Sequence, residues 1–563
     1  MRQPYPKSSI LASGSYSRGL VSNPRRRSAH LCAAILALAI LRTTAASPGL
    51  SLITIDELKE WLSYIASDQL EGRANYSAGL GLAAAYIQDH LRAWSVTPAG
   101  DDHSYLQTVR VRSVEAKSRS TVTVQVGRES RTFRDGEGVT FAPDAGGKRR
   151  LTLDRVEFAG YGLDADLRGK DVGGAAVVWL GASGPRAFDA QRLNRVLTGR
   201  SRHATDDLHA AATIGPDQSP GSAPAATSRG AGSDFVTAAR LDRSVPPAIN
   251  VDDRFLAFLL RTAPTPYEEL RRRAEAREPL PSFRLRDVKI TFNVDVEYDV
   301  VRTQLTHNVV AVVEGTDRSL EETYVAFGAH YDHLGYAEGE ASQHGTRPAP
   351  SYGRVTPGAD DDRIWNGADD DGSGTVALMA LARAFAEGPR PRRSLLFVWH
   401  AAEELGTYGS RYFVDYSTVP VDRIVAQLNI DMIGRNRDNK SSESNTVYLV
   451  GSDRISSELH EIHRAANQAL SPPLTLDYEM NDPSDPEQIY YRSDHFSYAS
   501  KGIPIIFFTT GLHPDYHANT DDVSRILFDK MLRVVQLVYE TGVRVANLDH
   551  APVRDNKGPR AVN

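Results

Sequence analysis

Carboxylates and imidazoles recur in the C-terminal half of the chain, each at the end of a strand-like run or the start of a helix-like one. In order they are His330 and Asp332 in A-H-Y-D-H-L-G, Asp370 in N-G-A-D-D-D-G-S-G, the pair Glu403 and Glu404, Asp431 in L-N-I-D-M-I-G, and His517 in D-Y-H-A-N-T-D-D. Acids placed at the mouths of apolar strands repel one another or lose their solvation unless positive charge lies among them. Two divalent cations would supply that charge, and two cations with a spare carboxylate make a hydrolase.

The inventory matches such a centre. Zn²⁺ takes His nitrogen and carboxylate oxygen, and a catalytic site keeps one position open for water. A metal pair about 3.5–4 Å apart needs a bridging carboxylate and two further protein ligands on each ion. Asp370 serves as bridge, His330 and Asp431 hold one ion, and Glu404 and His517 hold the other. Glu403 is left over beside a ligand. It is the natural general base, taking a proton from water and passing it to a leaving amine. Asp332, two residues after His330 on the same side of an extended segment, is placed to fix that imidazole from behind.

At these residues the chain resembles the co-catalytic di-zinc aminopeptidases of the MH clan, peptidase family M28. The matching strings are A-H-Y-D-H-L-G, I-W-N-G-A-D-D-D-G-S-G-T, A-E-E-L-G, L-N-I-D-M-I-G and Y-H-A-N-T-D-D, in that order. They span roughly residues 300–547, with a looser match from about 50 to 115. The resemblance implies the same assignments, with Asp332 behind the ligands. It also implies peptide substrates with a free N-terminus. Tyr516, next to His517, would donate to a tetrahedral oxyanion, as related carboxypeptidases suggest, or simply pack. The stretch 490–496 resembles the family's substrate-side segment and either lines the specificity pocket or packs beneath it.

The string G-A-D-D-D occurs twice, at Gly358–Asp362 and Gly367–Asp371. Only the second runs into an apolar helical stretch, 376–385, which can anchor a ligand loop. Asp370 is therefore the ligand, and Asp360–Asp362 form a solvated acidic loop. His333, His400 and His513 exceed the ligand count and read as structural or pocket-lining residues.

A chain of 563 residues is too long for one core. Its 41% hydrophobic and 24% charged content suits a soluble globular protein, and a net charge of −6 leaves no basic footprint for nucleic acid. Arg25-Arg26-Arg27, an apolar run near 31–41 and small residues at 43–47 read as an export segment, too short to leave a membrane span after cleavage. The single cysteine, Cys32, lies inside it, so the mature chain would hold no disulfide, as is common for exported bacterial enzymes. The expected location is secreted or periplasmic.

The elements that must position the site follow from periodicity. Leu58, Trp61, Leu62 and Ile65, then Leu80, Ala84, Ile87 and Leu91, mark helices. Short strand-like runs appear at 120–126, 155–158 and 175–180. The string from V-E-F-A-G-Y-G to A-V-V-W-L resembles a protease-associated (PA) domain, and 200–240 reads as a flexible loop. From about 300, strand and helix alternate, which predicts an α/β fold: a mixed, mostly parallel central sheet with helices on both faces. Ligands then lie beyond the carboxyl ends of the strands. The domains expected are an export segment 1–46, an N-terminal helical part 47–115, a PA-like insert 116–300, the catalytic domain 301–547 and a tail 548–563. Together these predict a secreted exopeptidase carrying two Zn²⁺ and releasing N-terminal residues. A carboxypeptidase of the same family, a single-zinc glutaminyl cyclase and a binding protein on a metal-free scaffold are the alternatives. Side-chain preference and oligomeric state are not encoded in these patterns.

Overall fold

The computed structural model describes residues 47–186, 190–216, 232–337 and 353–555. The export-type segment with Cys32 lies outside them. No helix among the described residues is long and apolar enough to cross a membrane.

The apolar runs of the C-terminal half become four central parallel strands: Ser394–His400, Tyr324–His330, Ile424–Ile430 and Ile505–Thr509, adjacent in that order. Every residue of Ser394–His400 and Ile424–Ile430 is buried. The reason is visible in how side chains alternate. Phe327, Phe397, Leu428 and Phe508 face one apolar layer, while Ala326, Leu396, Ile505 and Phe507 face another. A strand covered on both faces reads as a continuous hydrophobic run, not an alternating one.

Antiparallel strands extend this core on both sides. Thr446–Val450 pairs with Ile505–Thr509, and the long Val296–Val313 pairs with Ser394–His400. The sheet is thus mixed, parallel where the site forms. One face carries the helices Ile55–Ile65, Ala78–Ala93, Gly374–Glu387, Ser457–Ala469 and Phe528–Ala546. The other carries Tyr408–Asp415 and His495–Ala499. Thr54 caps the first helix by accepting from the Glu57 amide, and Leu58, Trp61, Leu62 and Ile65 form its buried stripe.

A second ten-stranded sheet with its own apolar core occupies 121–294. Leu106–Ser118 and Val296–Val313 pair with each other and pass through residues 115 and 300, with a register shift between Val300 and Arg302. The stretch 200–240 is regular structure where it is described, not the flexible loop its composition suggested. The helix Ala190–Arg202 runs into a π-helical turn, His203–Asp207, and then Ala212–Pro216 forms a strand. That strand is held between parallel neighbours, Ala176–Val178 and Ala248–Val251. Residues 217–231, where the small polar residues concentrate, lie outside the described residues.

His463, on Ser457–Ala469, is fully buried with its Nε2 2.8 Å from the Tyr478 hydroxyl. Burial, then His460, push its pKa down to about 3. The unfolded chain binds this proton near pH 6.5, whereas the folded chain refuses it. The group's contribution is therefore complete above about pH 6.5 and drains away as pH falls towards 3, at about 1.4 kcal/mol per pH unit. His463→Gln should flatten the loss of urea stability between pH 7 and pH 4. Equal slopes in variant and wild type would contradict this origin.

Candidate metal centre

The structure brings His330, Asp370, Glu403, Asp431 and His517 to one cleft at the carboxyl ends of the parallel strands. His330 ends its strand, Asp431 directly follows Ile424–Ile430, and Glu403 and Glu404 follow Ser394–His400 by one turn. His517 comes from the loop after Ile505–Thr509. This is where the central sheet of an α/β protein offers a crevice.

Asp370 lies between the two histidines. Its Oδ1 is 3.2 Å from His330 Nε2, and its Oδ2 is 3.2 Å from His517 Nε2. Asp431 Oδ1 is 3.8 Å from the same His330 nitrogen, and Glu404 Oε2 is 3.2 Å from His517 Nε2. The five residues thus divide into two sets sharing one carboxylate. Asp370 Oδ2 and Glu404 Oε1 are buried and accept no aligned hydrogen bond. A ring nitrogen and a carboxylate that approach without hydrogen-bonding fit two groups directed at a common ion. Oxygen and nitrogen donors of this kind suit Zn²⁺.

The charge balance makes the same demand. Burial works against a proton on His330, yet Asp332, Asp370 and Asp431 lift its pKa well above the ordinary value. His517 is likewise lifted to about 10, by Glu404 and Asp370 against the effect of burial. Burial would raise Glu404, but His517 and His333 hold it at about 2. Burial pushes the Glu403 carboxyl well above the carboxylate range, with Glu404, Asp494 and Asp431 adding to the effect. The site holds more negative charge than its own side chains neutralise, and metal ions would take the place of protons there.

Two neighbours compete for ligand roles. His333, Asp370 and Glu404 have donor atoms close enough for one ion, with His333 Nδ1 2.8 Å from Glu404 Oε1, and so have His330, Asp371 and Asp431. Asp371 Oδ1 accepts from the amides of Gly374 and Met432, while its Oδ2, like both His333 nitrogens, is buried without a hydrogen-bond partner. His333 lies 4.0 Å from Asp370 and does not line the cleft, whereas His517 does both jobs of contact. Asp360, Asp361 and Asp362 are exposed, away from this cluster. His400 is buried between Asp494 and Tyr498, and His513 lies against Asp369.

Asp332 behaves differently from the expectation. Its backbone carbonyl, not its carboxylate, is the nearer partner of His330 Nδ1, at 3.1 Å against 3.7 Å. The carboxylate instead accepts from the amides of Glu403 and Glu404 and from Asn75 Nδ2 at 2.6 Å. It therefore aims the Glu403–Glu404 turn. Tyr516 stacks on His517, with ring centroids 4.0 Å apart, and its hydroxyl accepts from Arg492 at 3.1 Å. Its own proton is then free to point into the cleft. Of the stretch 490–496, Arg492 and Ser493 line the cleft and Tyr490 and Tyr491 pack in the core.

Sequence reasoning missed several supports. Ser493 donates to Asp431 Oδ2 at 2.7 Å. Asp521, inside the Y-H-A-N-T-D-D string, accepts from the amides of Asp369 and Asp370 and so holds the Asp370 backbone. Arg73, fully buried, donates to the carbonyls of Ile65, Tyr331, Asn366 and Gly367. Gly367 has φ 55, and a Cβ there would meet the Asp370 carbonyl and the His333 ring. Ala402, Met432 and His517 all have φ between 56 and 58, conformations rare outside glycine that cluster at functional sites.

Residues 308–542 match the family described as Peptidase family M28. That match covers less than half of this chain. Leucine aminopeptidase 1 of Arthroderma gypseum is 25% identical over 242 residues, covering 41% of this chain and 56% of that protein. The chain thus spans little more than half the length of this curated relative. Among solved structures, an aminopeptidase from Aneurinibacillus sp. strain AM-1 aligns at a TM-score of 0.43 with 18% identity, covering 91% of this chain and 98% of that one. BSAP, a zinc aminopeptidase from Bacillus subtilis, aligns at 0.41 with 16% identity, covering 87% and 94%.

Two outcomes follow. Asp332→Ala and Asn75→Ala should each weaken zinc retention by about 10–100-fold in chelator competition, as loss of ligand-supporting hydrogen bonds does. Asp360→Asn should not. Arg73→Met, leaving four buried carbonyls without their donor, should lower unfolding stability by roughly 3 kcal/mol or more in urea titration.

Proposed function

We propose that the chain is a metal-dependent aminopeptidase that removes the N-terminal residue of peptides. The observation carrying this reading is the Asp370 carboxylate, each oxygen 3.2 Å from a different histidine, with Glu403 on the same cleft. His330 and Asp431 would hold one zinc, Glu404 and His517 the other, and Asp370 would join them. Two such ions supply Lewis-acid polarisation of a peptide carbonyl and a lowered water pKa. Every other part falls to side chains.

Glu403, half-exposed to the cleft, takes the proton of the attacking water and delivers it to the departing amine. Its raised affinity for a proton suits both halves of that task. Tyr516, fed by Arg492, offers its hydroxyl proton to the developing oxyanion. The acidic surroundings of Asp431 and Glu403 attract a free α-ammonium and repel a carboxylate. Met432, Met480, Ile489, Phe507 and Leu512 provide an apolar wall for a side chain. Residues 116–300 would form a PA-like insert, and 1–46 would direct export to the periplasm or medium.

The carboxypeptidase reading draws on Arg492, the one arginine lining this cleft among the described residues. Both arms of its fork are already engaged, by Glu487 and Tyr516, which argues against a free carboxylate clamp.

A short peptide supplied free, N-acetylated and C-amidated separates these readings. Acetylation should abolish release of free amino acid, and amidation should not. Glu403→Gln should lower kcat by about 10²–10⁴-fold while leaving bound zinc unchanged by metal analysis. Loss of cleavage on amidation instead would reassign the end recognised. One zinc per chain would point to the cyclase, and none to a binding protein.

A further inference from the structure

The cleft wall is braced from the region 121–294. The helix Ala190–Arg202 and the turn His203–Asp207 belong to that region, yet they contact the segment 487–496 that borders the cleft. Arg195, Gly199 and Arg202 are spaced by four and then three residues, so they share one face of the helix. Arg195 Nη1 is 3.2 Å from Glu487 Oε2. A Cβ at Gly199 would lie 3.1 Å from Gln488 Oε1, a close approach that the missing side chain permits. The Arg202 guanidinium lies over the rings of Tyr491 and Phe496, 5.6 and 5.4 Å from their centroids. Its Nη1 also donates to the Tyr491 carbonyl at 3.4 Å.

The turn adds a second hold. Asp207 is buried, and its Oδ2 accepts from the Tyr491 hydroxyl and lies 2.8 Å from His203 Nδ1. Tyr491 is buried as well, and a hydroxyl donating to a carboxylate is one of the stronger hydrogen bonds. The Arg195–Glu487 pair is half-exposed and contributes little by itself. Next in sequence to Tyr491 is Arg492, which reaches Glu487 at 3.0 Å and the Tyr516 hydroxyl at 3.1 Å. Residues 195–207 therefore hold Arg492 at both ends, its backbone through Tyr491 and its guanidinium through Glu487. None of 195–207 lines the metal cleft among the described residues, so their influence on it passes through 491–493.

We propose that Arg202 and Asp207 are positioning residues for the oxyanion side of the site. They fix Tyr491, Tyr491 fixes the course of Arg492, and Arg492 aims the Tyr516 hydroxyl. This rests on the aminopeptidase reading, in which that hydroxyl faces the developing charge. A shift of about 1 Å at Tyr491 carries Arg492 with it, and misplacement on that scale is enough to cost rate. Tyr516 would keep its stacking on His517, and Ser493 its own bond to Asp431. The metal ligands then stay in place while the oxyanion donor is misdirected.

The test uses zinc-loaded protein, the peptide Leu-Ala-Ala and the variants Tyr491→Phe and Asp207→Asn. The first deletes a hydroxyl and the second a charge, so ring and helix packing remain. Each should lower kcat about tenfold with KM within about twofold of wild type, because a donor to developing charge is felt in the transition state. Bound zinc should be unchanged by metal analysis. Tyr516→Phe should lower kcat too, and adding Tyr491→Phe to it should cost less than about a further twofold, since both act through one hydroxyl. Arg202→Lys, which keeps a cation over the rings, should retain more activity than Arg202→Ala. The proposal is overturned if both single variants keep kcat within about twofold of wild type, or if Tyr491→Phe costs the full tenfold without the Tyr516 hydroxyl. Loss of zinc in step with activity would place the effect on Asp431 and overturn it as well. Each of these results leaves the aminopeptidase reading standing. If wild type cleaves nothing, that reading fails, and calorimetric binding of leucine phosphonic acid, a tetrahedral oxyanion, decides. An affinity about tenfold weaker in Tyr491→Phe supports the positioning role, and equal affinity or no binding overturns it.

Discussion

A carboxylate taken out of water needs a proton, a cation or several hydrogen-bond donors. Asp332, Asp369, Asp370, Asp371, Asp431 and Asp521 are all buried at one edge of one sheet, and they divide between these solutions. Asp332, Asp371 and Asp521 each accept two backbone amides, and Asp369 takes the Gly434 amide. Asp370, Asp431 and Glu404 instead face imidazoles across gaps of 3.2–3.8 Å. Amides thus hold the first group in place, although Asp369 Oδ2, Asp371 Oδ2 and Asp521 Oδ1 keep no hydrogen-bond partner, while the second group faces nitrogen. The loops carrying them adopt left-handed conformations at Ala402, Met432 and His517.

The frame is tied down from far along the chain. Arg73 and Asn75 precede the parallel sheet by more than two hundred residues, yet they reach its carboxyl edge through carbonyls of Tyr331, Asn366 and Gly367 and through the Asp332 carboxylate. Behind Asp370, the helix Gly374–Glu387 starts so close to Asp371 and the Ile430 carbonyl that a Cβ at Gly374 would lie 2.4 Å from both. The loop carrying Asp370 is thus pinned by a helix on one side and a buried guanidinium on the other. Rigid placement of this sort is what lets side chains act on a reacting bond without first reorganising.

The region between the two long strands contributes to the same edge. Asp207 accepts the hydroxyl of Tyr491, across 284 residues of sequence, and the Arg202 guanidinium lies over the Tyr491 and Phe496 rings. Since Arg492 and Ser493 follow directly, contacts to this region bear on the geometry of the cleft wall.

The sequence by itself determined which residues could form the centre, because each ligand candidate lies in a short string whose neighbours specify its setting. A strand end places His330 and Asp431, and a glycine-rich turn running into an apolar helix distinguishes Asp370 from the exposed copy at Asp360–Asp362. The continuous apolar runs likewise determined the parallel core, since a strand buried on both faces has no polar alternation to hide. Tertiary structure alone decided the rest. Asp332 was legible as a supporting acid, but the direction of its carboxylate depends on where the Glu403–Glu404 turn returns, seventy residues later. Arg73, Ser493, Asp521 and the Asp207–Tyr491 contact left no periodic trace, because a hydrogen bond between distant segments imposes no spacing on either one. The strand Ala212–Pro216 was masked by the small polar residues beside it. Local patterns record what a residue does for its own element; the fold decides what it does for another.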